Sequence, residues 1–208
     1  YRVIIPDLRG YGDSVGPAPD AENLLYSKRA MANDIAKVLD ALSVDTAMVI
    51  GHDRGGRVAY RFALDHPGRI SKLAVLDMIP TSETWEWMVA SEAIGAYHWP
   101  FLAQGNGLPE RMIGHDPDDY LQHTLHSWTR VKDCFTDAAM VEYRRCFSKP
   151  SVIAACCADY RAGATVDWEI DRADVDASRK IACPVLALWG DRLGRKKTGS
   201  LAVWRRWC

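Results

Sequence analysis

The 208-residue sequence has no excess of either charge: 26 Lys and Arg stand against 27 Asp and Glu, a net charge of −1. A balance that even gives no electrostatic reason to expect nucleic acid or an anionic membrane surface as a partner. No apolar run approaches the ~20 residues that cross a bilayer. There is no zinc-ligand spacing and no CxxC pair among Cys134, Cys146, Cys156, Cys157, Cys183 and Cys208. The adjacent Cys156 and Cys157 suit neither a disulfide framework nor redox chemistry, so reduced, buried thiols in a cytoplasmic protein are expected. Internal repeats and low-complexity tracts are absent too. No initiating Met is present: the chain starts Tyr1-Arg2-Val3 inside an apolar run and ends at Cys208 after what reads as a helix. Both ends therefore read as cut from a longer protein, and a leader segment stays open.

What is present is ordinary globular composition, 48% hydrophobic and 25% charged, at a length that suits one domain with an insertion. Val3-Ile4-Ile5, Ala47-Met48-Val49-Ile50, Leu73-Ala74-Val75-Leu76 and Val185-Leu186-Ala187-Leu188-Trp189 are short apolar runs closed by turn residues. They read as buried parallel strands. Ser27 to Leu42 reads as a helix capped by Ser27, with Met31, Ile35, Val38, Leu39 and Leu42 at helical spacing. Gly55 to Asp65 reads as a second helix, stopped by His66-Pro67-Gly68. Alternating strand and helix imply an α/β protein with a mostly parallel sheet flanked by helices. From 81 to 164 strand signals vanish and aromatics become dense, among them Trp85, Trp87, Tyr97, Trp99, Phe101, Trp128 and Tyr143. The expected organisation is a sheet domain over 1–80 and 165–208 with a helical cap, 81–164, inserted after the third visible strand. A pocket belongs beneath that cap, at the C-terminal strand ends. For most of these aromatics, the cap's own packing is the simpler role.

Gly51-His52-Asp53-Arg54-Gly55 lies between a strand and a helix. The pattern small-x-nucleophile-x-small is that of a nucleophile elbow, a turn so sharp that only small flanking residues avoid a clash. A carboxylate in the central position attacks carbon directly and leaves an ester, which suits displacement at an alkyl carbon. A capping Asp in a tight loop is the structural alternative. Arg54 and Arg57 share one face of the first helical turn, where cations oppose the helix dipole. Two guanidinium groups there make sense if the substrate carries a carboxylate. A structural pair, for instance with Asp77, is the other possibility.

The stretch GHDRGGRVAYRFALDHPGRISKLAVLDMIPT resembles the haloacetate dehalogenases, and within them the fluoroacetate dehalogenases, of the α/β-hydrolase fold. DLRGYGDS (7–14), YHWPFLAQ (97–104), SWTR (127–130) and DYRAGATVDWEID (159–171) extend the likeness over nearly the whole chain. The resemblance implies a cofactor- and metal-independent hydrolase that turns a small halogenated carboxylate into the 2-hydroxyacid. Asp53 would be the nucleophile and Asp77 the acid orienting a catalytic His. Arg54 and Arg57 would hold the substrate carboxylate. His98, Trp99 and Tyr160 would donate to the departing halide, and Trp128 would line the pocket. For His98 and Tyr160 a satisfied core position is the alternative.

The sequence departs from the family in lacking the last strand with its His loop and the N-terminal region with its oxyanion loop, as a partial sequence would. The family expects a late His, and none of His52, His66, His98, His115, His123 and His126 lies in that place. Asp191, after Trp189-Gly190, is a second candidate acid. Epoxide hydrolase shares the Asp elbow, but that chemistry expects an aromatic residue where Arg54 stands; Tyr97, Tyr143 and Tyr160 keep it in play. A neutral haloalkane would give both arginines nothing to bind. A non-catalytic fragment or carboxylate-binding module is the reading from outside enzymology, and a homodimer stays open.

Overall fold

A computed structural model describes residues 1–131, 133–190 and 200–208 of the chain. Helix α1 (Lys28–Ala41) starts where the Ser27 hydroxyl accepts the amide of Ala30, and it buries Met31, Ala32, Ala36 and Leu39 along one stripe. Strand β1 (Ala47–His52), helix α2 (Asp53–Asp65), a single 3₁₀ turn (Pro67–Arg69) and strand β2 (Ile70–Leu76) follow. Strand β3 (Val185–Leu188) and helix α11 (Ser200–Trp207) come last. Among the described residues the sheet is three-stranded and parallel in the order β1-β2-β3. Its register pairs His52 with Leu76 and Leu76 with Leu188, so all three C-terminal ends meet on one rim. In α/β sheets that rim is where ligands bind.

Between β2 and β3 the regular elements among the described residues are helices: α3 (Thr81–Trp87), α4 (Ser91–Gly95), α5 (His98–Leu102), α6 (Leu108–His115), α7 (Pro117–Trp128), α8 (Asp137–Phe147), α9 (Pro150–Ala164) and α10 (Val166–Asp176). Two apolar clusters form. The larger joins α1 and α2 to one sheet face through Met31, Leu39, Val58, Phe62, Leu73 and Val75. The smaller contains Trp99, Leu102, Ile113, Ile153, Cys157 and Tyr160. Helix α9 serves both, giving Ala155 and Ala158 to the first and Ile153, Cys157 and Tyr160 to the second.

A buried polar knot locks α2 to α10. Arg61 donates to Asp171 at 2.7 Å and to Asp174 at 2.6 Å. Tyr60 Oη donates to the other Asp171 oxygen at 2.8 Å, and the amide of Ser82 donates to that same oxygen at 3.0 Å. Burial pushes the Asp171 carboxyl up, and Arg61 opposes that.

Several expectations are corrected. Val3-Ile4-Ile5 forms no strand, because no described strand lies beside it to complete a ladder; Val3 and Ile5 are 73% and 89% exposed. The strands are buried on one face only. Met48, Ile50, Leu186 and Leu188 point to the opposite face and are exposed, since no described helix packs there. The second helix begins at Asp53 rather than Gly55, and the last strand closes at Leu188.

Candidate active site

Asp53 is the first residue of α2 and has φ +47°, in the left-handed region that non-glycine residues rarely enter. Such a conformation typically costs about 1–3 kcal/mol and persists only where the surroundings enforce it. Here they do. A Cβ on Gly51 would lie 2.5 Å from the Gly55 carbonyl oxygen, and one on Gly56 would lie 2.9 Å from Met78 Cγ and 3.1 Å from the Gly51 oxygen. A Cβ on Gly55 would meet nothing within 4 Å. The glycines the turn requires are therefore Gly51 and Gly56, not the Gly51 and Gly55 of the sequence pattern. At the helix start the carboxylate is also favoured by the dipole.

Arg54 and Arg57 both follow Asp53 into the interior, but their partners differ. Arg54 Nε and Nη2 donate to the two carboxylate oxygens of Asp159 at 2.7 and 2.6 Å, and Nη2 also reaches the Asp159 carbonyl at 3.1 Å. Its Nη1 is buried without a partner. Arg57, 3% exposed, has neutral partners: Nη1 donates to Ile79 O at 3.0 Å and reaches Thr81 Oγ1 and Thr84 Oγ1 at 3.4 and 3.3 Å. Its Nε is also buried and unpaired. Among the described residues no carboxylate comes within ion-pair distance of Arg57. Burial, and then the neighbouring Arg54, pull the Arg57 pKa down. The Arg–Asp77 pair entertained from the sequence does not form.

Aromatic rings wall the two guanidinium groups. Arg57 lies 4.4 Å from the Trp99 ring centroid and Arg54 lies 4.1 Å from that of Tyr160. Trp99 and Tyr160 meet edge to face at 5.6 Å, and His98 stands between Tyr160 at 5.7 Å and Trp128 at 4.9 Å. Burial lowers the His98 pKa to about 4, with Arg54 and Arg57 adding to the effect and Asp53 opposing it. At neutral pH the ring is thus uncharged, and its Nδ1 is buried without a hydrogen-bond partner. Tyr160 is held protonated, because burial pushes its pKa well up. Asp53 acts electrostatically on His98, Arg57 and Tyr160 alike. Trp128, half exposed, borders it from the solvent side.

Asp77 directly follows β2 with φ +52°, and its Oδ1 accepts the Gly190 amide at 2.9 Å. Strand pairing therefore sets it beside the Asp53 turn. Asp191 lies outside the described residues.

Residues 1–192 match the family described as alpha/beta hydrolase fold. The chain belongs to this family. It is 42% identical over 193 residues to a fluoroacetate dehalogenase from Burkholderia sp, a match that takes in 91% of the chain and 62% of that protein. It is 33% identical over 193 residues to a soluble epoxide hydrolase from Corynebacterium sp. (strain C12), covering 91% of the chain and 64% of that protein. The chain thus spans less than two thirds of the length of these relatives. Among solved structures, a provisionally identified α/β hydrolase from Nostoc sp PCC 7120 superposes with a TM-score of 0.92 at 48% identity, covering 97% of this chain and 69% of its own.

In this α/β hydrolase, sequence reasoning missed four site residues. Asp159, Lys28 and Asp167 form a buried chain of ion pairs behind Arg54, and nothing local in the sequence pairs them. Trp85 lies edge-on to Trp99 at 5.4 Å, with its indole N–H buried and unpaired. In the sequence it is one aromatic among many. No helix of the described residues is long and apolar enough to cross a membrane.

Proposed function

We propose that the whole protein is a hydrolytic dehalogenase that converts haloacetate to glycolate through an ester on Asp53. The observation that carries this reading is Arg57, a buried cation whose hydrogen-bond partners among the described residues are all neutral. Buried charges are ordinarily paired, so a guanidinium left without an anion asks for one from the ligand. A 2-haloacid supplies that carboxylate one bond from its reacting carbon. Arg54 Nη1 and Arg57 Nε are the free donors that receive it.

In the first step an Asp53 oxygen attacks the halogen-bearing carbon. A C–O bond forms, the C–halogen bond breaks, and the halide leaves with the electron pair. His98, Trp99 and Tyr160 supply the N–H and O–H groups that stabilise it, which matters most for fluoride, a poor leaving group. In the second step water attacks the acyl carbon of Asp53 and releases glycolate; Asp77 is the acid that orients the water-activating base. The helices of 81–164 act as a cap that keeps the pocket dry. The six free thiols support a cytoplasmic setting.

Epoxide hydrolysis is the second reading, favoured by the Corynebacterium relative. An epoxide is neutral and leaves Arg57 unanswered. Fluoride and chloride release from fluoroacetate and chloroacetate, measured beside diol formation from styrene oxide, separates the two. Halide release without diol supports the dehalogenase; diol formation without halide release overturns it.

A further inference from the structure

We propose that Asp159 is a positioning residue for Arg54, holding two of its guanidinium nitrogens so that Nη1 alone is presented to a substrate carboxylate. The inference rests on the carboxylate-binding reading above and deepens it. Asp159 is fully buried on α9, and its side chain is saturated. Each oxygen receives one Arg54 nitrogen, at 2.7 and 2.6 Å. Oδ2 also accepts the Tyr11 hydroxyl at 2.7 Å, and Oδ1 accepts Lys28 Nζ. Lys28, 1% exposed, turns its ammonium at the same time to Asp167 at 3.0 Å, while its backbone amide, at the start of α1, donates to the other Asp167 oxygen at 2.7 Å.

The arrangement has a charge logic. Arg54 and Lys28 are matched by Asp159 and Asp167, two cations against two anions, so this group is neutral in itself. Arg57 stands outside it, without an ion pair among the described residues and with Asp53 as its nearby opposite charge. A two-nitrogen grip on a planar guanidinium fixes its plane as well as its position. The ring of Tyr160, the next residue on α9, covers that plane at 4.1 Å. Burial alone would raise the Asp159 pKa, but Arg54 and Lys28 together hold it well below the usual carboxylate range. The carboxylate therefore stays charged, and the grip intact, across the working pH range. The unpaired Nη1 follows from the grip: with Nε and Nη2 occupied, it is the one guanidinium nitrogen left for a ligand.

The test uses Asp159→Asn in the whole protein, with acetate as a non-reacting carboxylate probe and chloroacetate and chloroacetamide as charged and neutral substrates. Losing the grip should raise the acetate Kd and the chloroacetate KM on the order of tenfold to a hundredfold, the range of one charge-assisted hydrogen bond. kcat should change several-fold less, and the chloroacetamide KM should stay within about twofold, because that substrate never uses the anion site. On an Arg54→Lys background the same substitution should add little, since neighbours acting through one group are not additive. Equal losses for chloroacetate and chloroacetamide would overturn the proposal, as would an unchanged acetate Kd. A wild-type protein that binds no acetate would overturn the carboxylate reading itself and the positioning role with it. Should Asp159→Asn fail to fold, Tyr11→Phe removes one hydrogen bond from the same carboxylate and leaves both ion pairs. A two- to fivefold rise in the acetate Kd is then expected, and no rise overturns the proposal.

Discussion

Arg54 and Arg57 lie three residues apart and are assigned the same ligand, yet their replacement should move stability differently. Arg54→Met strips Asp159 of its main partner and leaves that carboxylate buried with Lys28 as its one remaining cation and the Tyr11 hydroxyl as a neutral donor. Breaking a buried pair from one side typically costs about 3–5 kcal/mol. Arg57→Met removes a cation with no anionic partner among the described residues. The lost hydrogen bonds and the cation–π contact with Trp99 at 4.4 Å are offset by relief of a desolvation penalty of several kcal/mol. Thr84 Oγ1, which lies 3.0 Å from Pro80 O and 3.3 Å from Ile79 O, can turn its one O–H to Ile79 O when the guanidinium is gone. The ligand-free Arg57→Met protein should therefore unfold in urea within about 1 kcal/mol of wild type, or above it. Both variants should lose two or more powers of ten in kcat/KM for chloroacetate, corresponding to roughly 3–5 kcal/mol of charged contacts. Added acetate should stabilise wild type and not Arg57→Met. An Arg57→Met protein as destabilised as Arg54→Met would refute the claim that Arg57 awaits its anion.

Trp99→Phe keeps a ring under the arginines but deletes the indole N–H; the loss in kcat should be larger for fluoroacetate than for chloroacetate, and equal losses would reduce Trp99 to packing. His98 titrates at about 4 in the folded protein against 6.5 when unperturbed, so between those values the unfolded chain binds the extra proton and stability falls as pH drops, by at most about 1.4 kcal/mol per pH unit. His98→Gln should flatten that limb in urea titrations run from pH 7 to 4; an unchanged slope would contradict the buried, neutral ring. Gly55→Ala should be tolerated with near wild-type activity, whereas Gly51→Ala, with its Cβ 2.5 Å from a backbone oxygen, should abolish halide release or folding. Similar behaviour of the two alanine variants would count against the strained turn at Asp53.

Much of this was legible in the sequence because the signals are local. The Ser27 cap, the Met31–Leu39 stripe and the apolar runs at 47, 73 and 185 each specify their own element. The elbow was legible for the same reason, since strand, turn and helix adjoin within a few residues. Two failures were also physical. Val3-Ile4-Ile5 has strand composition, but a strand needs a neighbour, and none of the described residues supplies one. Gly55 and Gly56 are indistinguishable by pattern, and only the close approach of Met78 shows which one the turn requires. The partner of Arg54 lies 105 residues away on α9, Lys28 is 131 residues from the same carboxylate and Tyr11 is 148 away. No spacing rule reaches across such separations, so the arginines read as a matched clamp when one is gripped by a carboxylate and the other has neutral partners among the described residues.

The central claim is that Asp53 forms a covalent ester, and a single turnover in ¹⁸O-water tests it most directly. With the whole protein in excess over chloroacetate, an ester on Asp53 requires that the glycolate hydroxyl oxygen come from the Asp53 carboxylate and that the water oxygen enter that carboxylate during ester hydrolysis. The account predicts unlabelled glycolate in the first turnover and a peptide containing Asp53 heavier by one ¹⁸O. Labelled glycolate with an unlabelled Asp53 peptide would mean that water attacks the substrate carbon directly, and the nucleophile assignment would be wrong.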